Sequence, residues 1–422
     1  MHTPTTIVRL RQPDEIDDPL TDVLRTGARR LLAQAVEMEA EAFLAAMQDL
    51  KLPDGRARLV RHGYGPEREI QTGIGPVPVS RVRIRDRGAT AAEDRVRFSS
   101  VILPKWARRT RSLDALLPIL YLRGVSTGDF QEALSALLGR DAPNLSPAVV
   151  TRLTATWADE YARWQARDLS ARRYVYVWAD GVYLQARMEE QAECMLVLIG
   201  ATPEGKKELV GFQVGVRESA QSWRELLVEV KRRGLSLAPE IAVGDGALGF
   251  WKALDEIFPG TRHQRCWVHK SANVLNKVPK AVQHIMKADL REIHSAPTRA
   301  AAEAAMGIFV EKYGTKYARA AECLRKDREA LLAFYDLPAE HWDHLRTTNP
   351  IESVFATVRH RTVRAKGALS PTTARLMVFK LVMAAAKGWR RLKGENQLPK
   401  VVAGVTFQDG TEVTASPENR AA

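Results

Sequence analysis

The chain predicts an α/β domain built on a mixed sheet, with three antiparallel strands and further parallel ones, interrupted by an all-α insertion. A mostly α region precedes it. Two observations carry this. After Arg173 the runs YVYVWAD, CMLVLIGA and ELVGFQVGV have strand length and strand composition, and a helical pattern then leads into a fourth run, EIAVGD. From about Asn273 to Arg346, by contrast, only helical spacing is found.

Taken in order, residues 1–20 are polar, carry Pro4, Pro13 and Pro19, and are expected to form a flexible tail. Residues 21–100 form an N-terminal helix and β-ribbon region. Val23, Leu24, Leu31, Leu32, Val36 and Phe43 favour a helix from Asp22 to about Leu50. In REIQTGIGPVPVSRVRIRD (68–86), Ile-Gly-Pro separates two alternating runs, so a short basic-edged ribbon is expected there. Residues 101–170 are expected to be helical and to resemble a helix-turn-helix unit. Ser126 or Thr127 caps one helix, Gly139 ends it, and Ser146 with Pro147 at the first helical position starts the next.

Residues 171–272 hold the first part of the sheet domain. The turn Thr202-Pro203-Glu204-Gly205 joins the second and third runs into an antiparallel meander. SWRELLVEVKRRG is a helix ending at Gly234, and the strand after such a crossover is expected to pair in parallel with an earlier one. ALGFWKALDEIF is the next helix. This order matches the ribonuclease-H-like fold. Residues 273–346 form the helical insertion, residues 347–395 complete the domain, and residues 396–422 are expected to be a second flexible tail.

Composition sets outer limits. At 422 residues there is room for roughly three domains of about 150 residues each. The 45% hydrophobic and 27% charged content is that of a folded, soluble chain. No apolar stretch approaches the roughly 18 residues needed to span a bilayer, and MHTPTTIVRLRQPDEIDD lacks the apolar core of a secretory signal. Cys194, Cys266 and Cys323 are too few and scattered for a disulfide framework. A cytoplasmic location is therefore expected, with no membrane partner. Lys plus Arg exceed Asp plus Glu by 63 to 50, a net charge of +13, spread over PKWARRTR, KRR, RHRTVRAK and KGWRRLK. Separate basic segments suit a chain that follows a phosphate backbone over a long path.

Three acids stand at the ends of recognisable elements: Asp180, Asp245 and Glu352. Each has a plain structural explanation. Asp180-Gly181 between β-prone runs is a hairpin signal. Asp245 precedes a helical pattern, where aspartate commonly caps. Glu352 stands three residues after Asn349 with Pro350 between, the place of a capping-box glutamate. Together, however, they form a set of hard oxygen ligands of the kind Mg²⁺ prefers, able to hold two cations about 3.5–4 Å apart for in-line displacement at phosphorus. Arg359 lies two helical turns beyond Glu352 on the same edge and offers a cation for phosphate. Cys266 and His269 have the spacing of a metal pair, but a structural zinc needs four ligands and no matching second pair is present. A buried thiol and a hydrogen-bonded histidine are the plainer explanation.

Across roughly residues 100–395 the chain resembles the bacterial insertion-sequence transposases of the Mutator-like family. The resemblance rests on LDALLPILYLRGVSTGDFQEAL, the strand with Asp180, GDGALGFWKAL, HQRCWVHKSANVLNKVPK and TTNPIESVFATVRHRT. It implies a ribonuclease-H-like catalytic domain with an Asp, Asp, Glu triad at Asp180, Asp245 and Glu352, a helical insertion before the glutamate, and the Cys-x-x-His signature at Cys266 and His269. The implied activity is metal-dependent DNA cleavage and strand transfer at terminal inverted repeats. The cofactor would be Mg²⁺, two ions, with Mn²⁺ able to substitute. Arg359 and Arg361 would support DNA contact, and a homodimer or higher assembly would form on DNA. The alternative is an inactive or domesticated DNA-binding descendant.

Overall fold

Asp18 starts the first helix, α1 (Pro19–Ala46): its carboxylate accepts the N–H groups of Leu20 (3.1 Å) and Thr21 (3.3 Å), donors that the first turn leaves without partners. The computed structural model describes residues 18–89, 91, 93–113, 116, 120, 147–184, 193–215, 218–246, 248–365 and 370–413. Two units divide the chain, Met1–Leu153 and Thr154–Ala422. No helix among the described residues is long and apolar enough to cross a membrane.

In the first unit, the expected single ribbon proves to be two. Strands β1 (Leu59–Tyr64) and β4 (Val82–Asp86) pair antiparallel, and β2 (Arg68–Thr72) pairs with β3 (Gly75–Val79). LVRHGY carries no strand signal of its own, because its apolar content ends after two residues. Gly75, at φ +97°, turns the second hairpin, and a Cβ there would meet the Arg25 guanidinium at 2.6 Å. Val36 and Ala40 of α1 close a small core with Ile70, Val77, Val79, Val82 and Leu103.

A core of that size relies on polar anchoring as well. The side chain of Asp86 is fully covered and receives Arg58 Nε (2.9 Å) and Nη2 (3.0 Å) together with the N–H groups of Gly88 and Val96, both at 2.9 Å. The Arg58 hydrogen bonds, reinforced by the two backbone donors, hold its carboxyl below the usual carboxylate range against the opposing effect of burial.

Most of the expected helix-turn-helix stretch, including Ser126, Thr127, Gly139 and Ser146, lies outside the described residues. Helix α2 (Pro147–Gln165) does begin at the expected proline. In the second unit, β5 (Tyr176–Leu184), β6 (Glu193–Ala201) and β7 (Lys207–Gly215) form the antiparallel meander. Helix α3 (Ala220–Arg232) crosses over to β8 (Ile241–Gly244), which pairs in parallel with β5. After α4 (Leu248–Ile257), β9 (Arg262–Arg265) adds a second parallel strand, giving the order β7-β6-β5-β8-β9. RHQR has no apolar signal. It is a strand because Gln264 and Arg265 find polar partners inside: Gln264 bonds the Leu331 carbonyl (3.1 Å) and the Phe334 N–H (2.9 Å).

Helices α5 (Trp267–Leu275), α6 (Lys280–His294), α7 (Arg299–Gly314), α8 (Ala318–Arg325), α9 (Arg328–Leu332) and α10 (Trp342–Leu345) follow without a strand. The chain then re-enters the sheet domain as α11 (Asn349–Ala365) and α12 (Pro371–Ala386). One face of the sheet carries Val177, Ala179, Leu196 and Val210 against Trp223, Leu227, Phe250 and Leu254 of α3 and α4. The other carries α11 on β5 and α12 on β7. There Tyr161 of α2 lies edge-on to Phe212 and Phe379.

Residues 396–413, expected as part of a tail, are folded. They form α13 (Leu398–Val402) and a hairpin of β10 (Phe407–Gln408) and β11 (Thr411–Glu412), anchored by buried Leu398, Val401 and Phe407. Leu398 and Val401 lie one helical turn apart, but a single turn is too short for a periodicity to stand out.

Replacing Asp86 with alanine is expected to destabilise the first unit by about 3 kcal/mol, because the Arg58 charge and two N–H groups lose their acceptor. Hydrogen exchange of the β1 and β4 amides in the full chain measures it. The folded carboxyl titrates below its unfolded value, so its contribution is complete above about pH 5 and is lost as pH falls through the folded value.

Candidate functional site

Strand β5 supplies the first acid. Its alternation puts Tyr176, Trp178 and Asp180 on one face and Val177, Ala179 and Gly181 on the other. Tyr176 Oη lies 2.8 Å from His341 Nδ1 and Trp178 Nε1 donates to the His344 carbonyl at 2.9 Å, so Asp180 shares the face that α11 covers. The Asp-Gly pair is not a turn: Asp180 sits within the strand, opposite Val197 of β6. A strand partner for every residue from 176 to 184 outweighs the local turn preference.

The register then fixes the second acid. Ala179 pairs with Gly244, the last residue of the parallel neighbour β8, so Asp180 and Asp245 each follow directly on that final rung. Asp245 follows the last residue of β8, and its carbonyl accepts Trp251 Nε1 and Arg265 Nη1, both at 3.0 Å.

Glu352 arrives from the far side of the insertion. Its N–H donates to the Thr348 carbonyl (3.1 Å), and its Oε1 lies 3.2 Å from Thr348 Oγ1 and 3.8 Å from His269 Nε2. Cys266, only 1% exposed, has Thr348 N at 3.4 Å and Thr348 Oγ1 at 3.5 Å from its sulfur. Ligand atoms of Cys266, His269 and Glu352 thus all lie within 4.8 Å of one another. The Cys-x-x-His pair that the sequence singled out abuts Glu352 through Thr348, which lies in the TTNPIESVF motif but is given no role by the sequence.

Charge explains the remaining behaviour. Burial pushes the Asp180 carboxyl up to about 6, with Asp245 and Glu352 adding to the rise while His269 and the Gly181 N–H oppose it. The His269 imidazole is raised to about 9, first by its hydrogen bond with Cys266. Burial alone would raise the Cys266 thiol, but hydrogen bonds from His269 and Thr348 bring it below its ordinary value. A thiol so covered is engaged in holding neighbours, not in reaching a substrate. Asp180, Asp245 and Glu352 offer the hard oxygen donors that a divalent cation such as Mg²⁺ prefers, although among the described residues the three groups whose ligand atoms lie within 4.8 Å of one another are Cys266, His269 and Glu352. Arg359 is exposed, with its guanidinium 5.9 Å from the Phe355 ring centre. The side chain of Arg361 lies outside the described residues.

Glu218 was missed. It precedes Ser219, the N-cap of α3, and its carboxylate lies against Gly181 on the opposite face of β5. Burial, then Asp245 and Asp180, push it up to about 7. The sequence signal that could have found it is Gly181 itself, a glycine in mid-strand marking a close approach.

A Cβ at residue 181 would collide with Glu218 Oε1 and come within 2.9 Å of Cys194 Sγ. Gly181→Ala is therefore expected to cost about 1–3 kcal/mol. Adding Glu218→Ala should return part of that loss, because the two changes couple. Thermal unfolding of the single and double variants checks it, and strictly additive effects would contradict the contact.

Comparison with known proteins adds sequence relationships to this geometry. The family described as "Transposase, Mutator family" matches residues 2–391. The transposase for insertion sequence element IS6120 of Mycolicibacterium smegmatis is 48% identical over 298 residues, which is 71% of this chain and 92% of that protein. The transposase for insertion sequence element IST2 of Acidithiobacillus ferrooxidans is 52% identical over 287 residues, 66% of this chain and 95% of that protein. A more distant relative, the transposase for insertion sequence element IS905 of Lactococcus lactis subsp. lactis, is 27% identical over 354 residues, 84% of this chain and 85% of its own length.

Proposed function

The chain belongs to the Mutator family of transposases, and from that premise we propose that it catalyses metal-dependent DNA cleavage and strand transfer at the terminal inverted repeats of an insertion sequence. The observation that carries this is that the buried Asp180 carboxyl, on the strand that pairs with β8 just ahead of Asp245, has its proton affinity raised by both Asp245 and Glu352. The order of three antiparallel and two parallel strands supports a ribonuclease-H-like sheet as its frame.

Asp180, Asp245 and Glu352 act as ligands for two Mg²⁺ ions, for which Mn²⁺ can substitute. When bound, the ions supply the Lewis acidity and charge compensation that in-line displacement at phosphorus requires. The strand fixes the Asp180 carboxylate, so it is positioned before substrate arrives. Thr348 and His269 orient the Glu352 carboxylate, a supporting role of the kind that outer groups play around metal ligands. Cys266 holds Thr348 in turn. Arg359 and Arg361, farther along α11, neutralise phosphates of the bound strand. DNA ends and target DNA are the partners, two ends call for a homodimer or larger assembly, and the cytoplasmic nucleoid is the place of action.

Purified protein on DNA carrying the element's ends, with Mg²⁺, is the test. Asp180→Ala, Asp245→Ala and Glu352→Ala should each lower cleavage by about a thousandfold or more, equivalent to about 4 kcal/mol of barrier, with binding in gel shifts retained. Full cleavage by any of the three would sink the assignment. His269→Ala and Thr348→Val should cost less, about 10–100-fold, and a chelator should abolish the reaction.

A further inference from the structure

Trp106 in the first unit is 81% exposed, although its backbone is firmly held. It stands in a turn closed by the Ala107 N–H on the Pro104 carbonyl (3.0 Å). Arg68 of β2 donates to the carbonyls of Pro104 (2.8 Å) and Lys105 from beneath. On one side Leu103 is buried in the small core. On the other, the Gln71 N–H donates to the Arg108 carbonyl and the Thr110 N–H to the Gln71 carbonyl, both at 2.9 Å, so the segment adds a parallel rung to β2. A turn fixed at both ends holds a large aromatic face in solvent, where it contributes nothing to the core.

Its surroundings indicate what the face is for. A cavity of about 400 Å³ adjoins it, lined by Arg68, Glu69, Lys105, Trp106 and Arg108 among others, within the range of about 300–1,000 Å³ that holds small ligands. Lys105 Nζ lies 5.0 Å from the Trp106 ring centre. PKWARRTR (104–111) carries four cations and no acid, and Lys105, Arg108 and Arg111 are exposed. An apolar protein partner would leave those charges desolvated. An aromatic face beside Arg68, Lys105 and Arg108, with Glu69 the one acid in the lining, instead matches a nucleobase with phosphates on either side. In paired duplex, bases show no open face along the helix, so the fit is to an unpaired one.

We propose that the Trp106 turn is a stacking site for an unpaired DNA base, which enters the adjoining cavity while Lys105 and Arg108 hold the flanking phosphates. This rests on the reading that the chain acts on DNA but is independent of the carboxylate triad. The test uses the full chain in EDTA, where no cleavage proceeds. Fluorescence anisotropy follows its binding to a labelled mixed-sequence single strand of about 20 nucleotides, and to the fully paired duplex of that sequence. Trp106→Ala should weaken single-strand binding about tenfold and duplex binding by less than about twofold, with Trp106→Phe close to the unaltered chain. The slope of log affinity against log salt should stay constant for Trp106→Ala and fall by about 0.7 for Lys105→Ala or Arg108→Ala. Equal losses on both DNA forms, no loss on either, or no single-strand binding by the unaltered chain would overturn the proposal, as would a Trp106→Ala effect confined to self-association in sedimentation. Because cleavage is absent from this assay, failure of the triad leaves its result untouched. Conversely, normal cleavage with an unaltered Trp106→Ala binding profile removes this site alone.

Discussion

Cys266 joins segments that are far apart in the chain. Its N–H donates to the carbonyl of Gly244 at the end of β8 (2.8 Å), while its sulfur faces the N–H and hydroxyl of Thr348. Asp245 is the next residue after Gly244, and Glu352 stands one helical turn after Thr348. The spacing of two acids that come from opposite sides of a long helical excursion is thus set through one buried residue. A sulfur suits the position because it accepts several weak hydrogen bonds at once, and His269 beside it lowers its proton affinity so that acceptance is favoured.

The third acid is fixed differently. Asp180 lies on the central strand of the sheet, where each flanking residue has a ladder partner and the side chains around it are buried. Desolvation of a carboxylate there is unfavourable, as its raised pKa of about 6 records. Such a position sacrifices stability for rigidity, a compromise found where geometry matters more than the local free energy. The imidazolium of His269 offsets part of the accumulated negative charge.

How much of this was visible in the sequence depends on the kind of signal. The apolar strands β5 to β8 and the crossover α3 were legible because burial on both faces forces continuous apolar runs and a helical period. The three acids were legible only as a set, since each alone imitates a turn, a cap or a capping box. Asp180-Gly181 in particular obeys the hairpin rule in composition and breaks it in the fold, because pairing with β6 overrides the local preference. What stayed hidden was held by polar contacts between distant residues. RHQR became β9 through the side chains of Gln264 and Arg265. Glu218 reached the site over a glycine. Thr348 and the C-terminal anchors Leu398 and Phe407 carry no periodicity of their own.

The helical block between α5 and α11 leaves and returns through one neck: the Trp267 N–H donates to the Arg346 carbonyl at 2.8 Å, directly beside the Cys266–Thr348 contact. A loop whose ends are already joined changes its closure entropy only slowly with length, by about 0.6 kcal/mol for each doubling. Lengthening the block away from β5 and β9 therefore leaves the neck beside Asp245 and Glu352 nearly undisturbed, whereas its 331–344 stretch is tied to those strands through Gln264, Tyr176 and Trp178. Natural selection is accordingly free to extend the outer helices for new neighbours while the strand ends and the start of α11 keep their places.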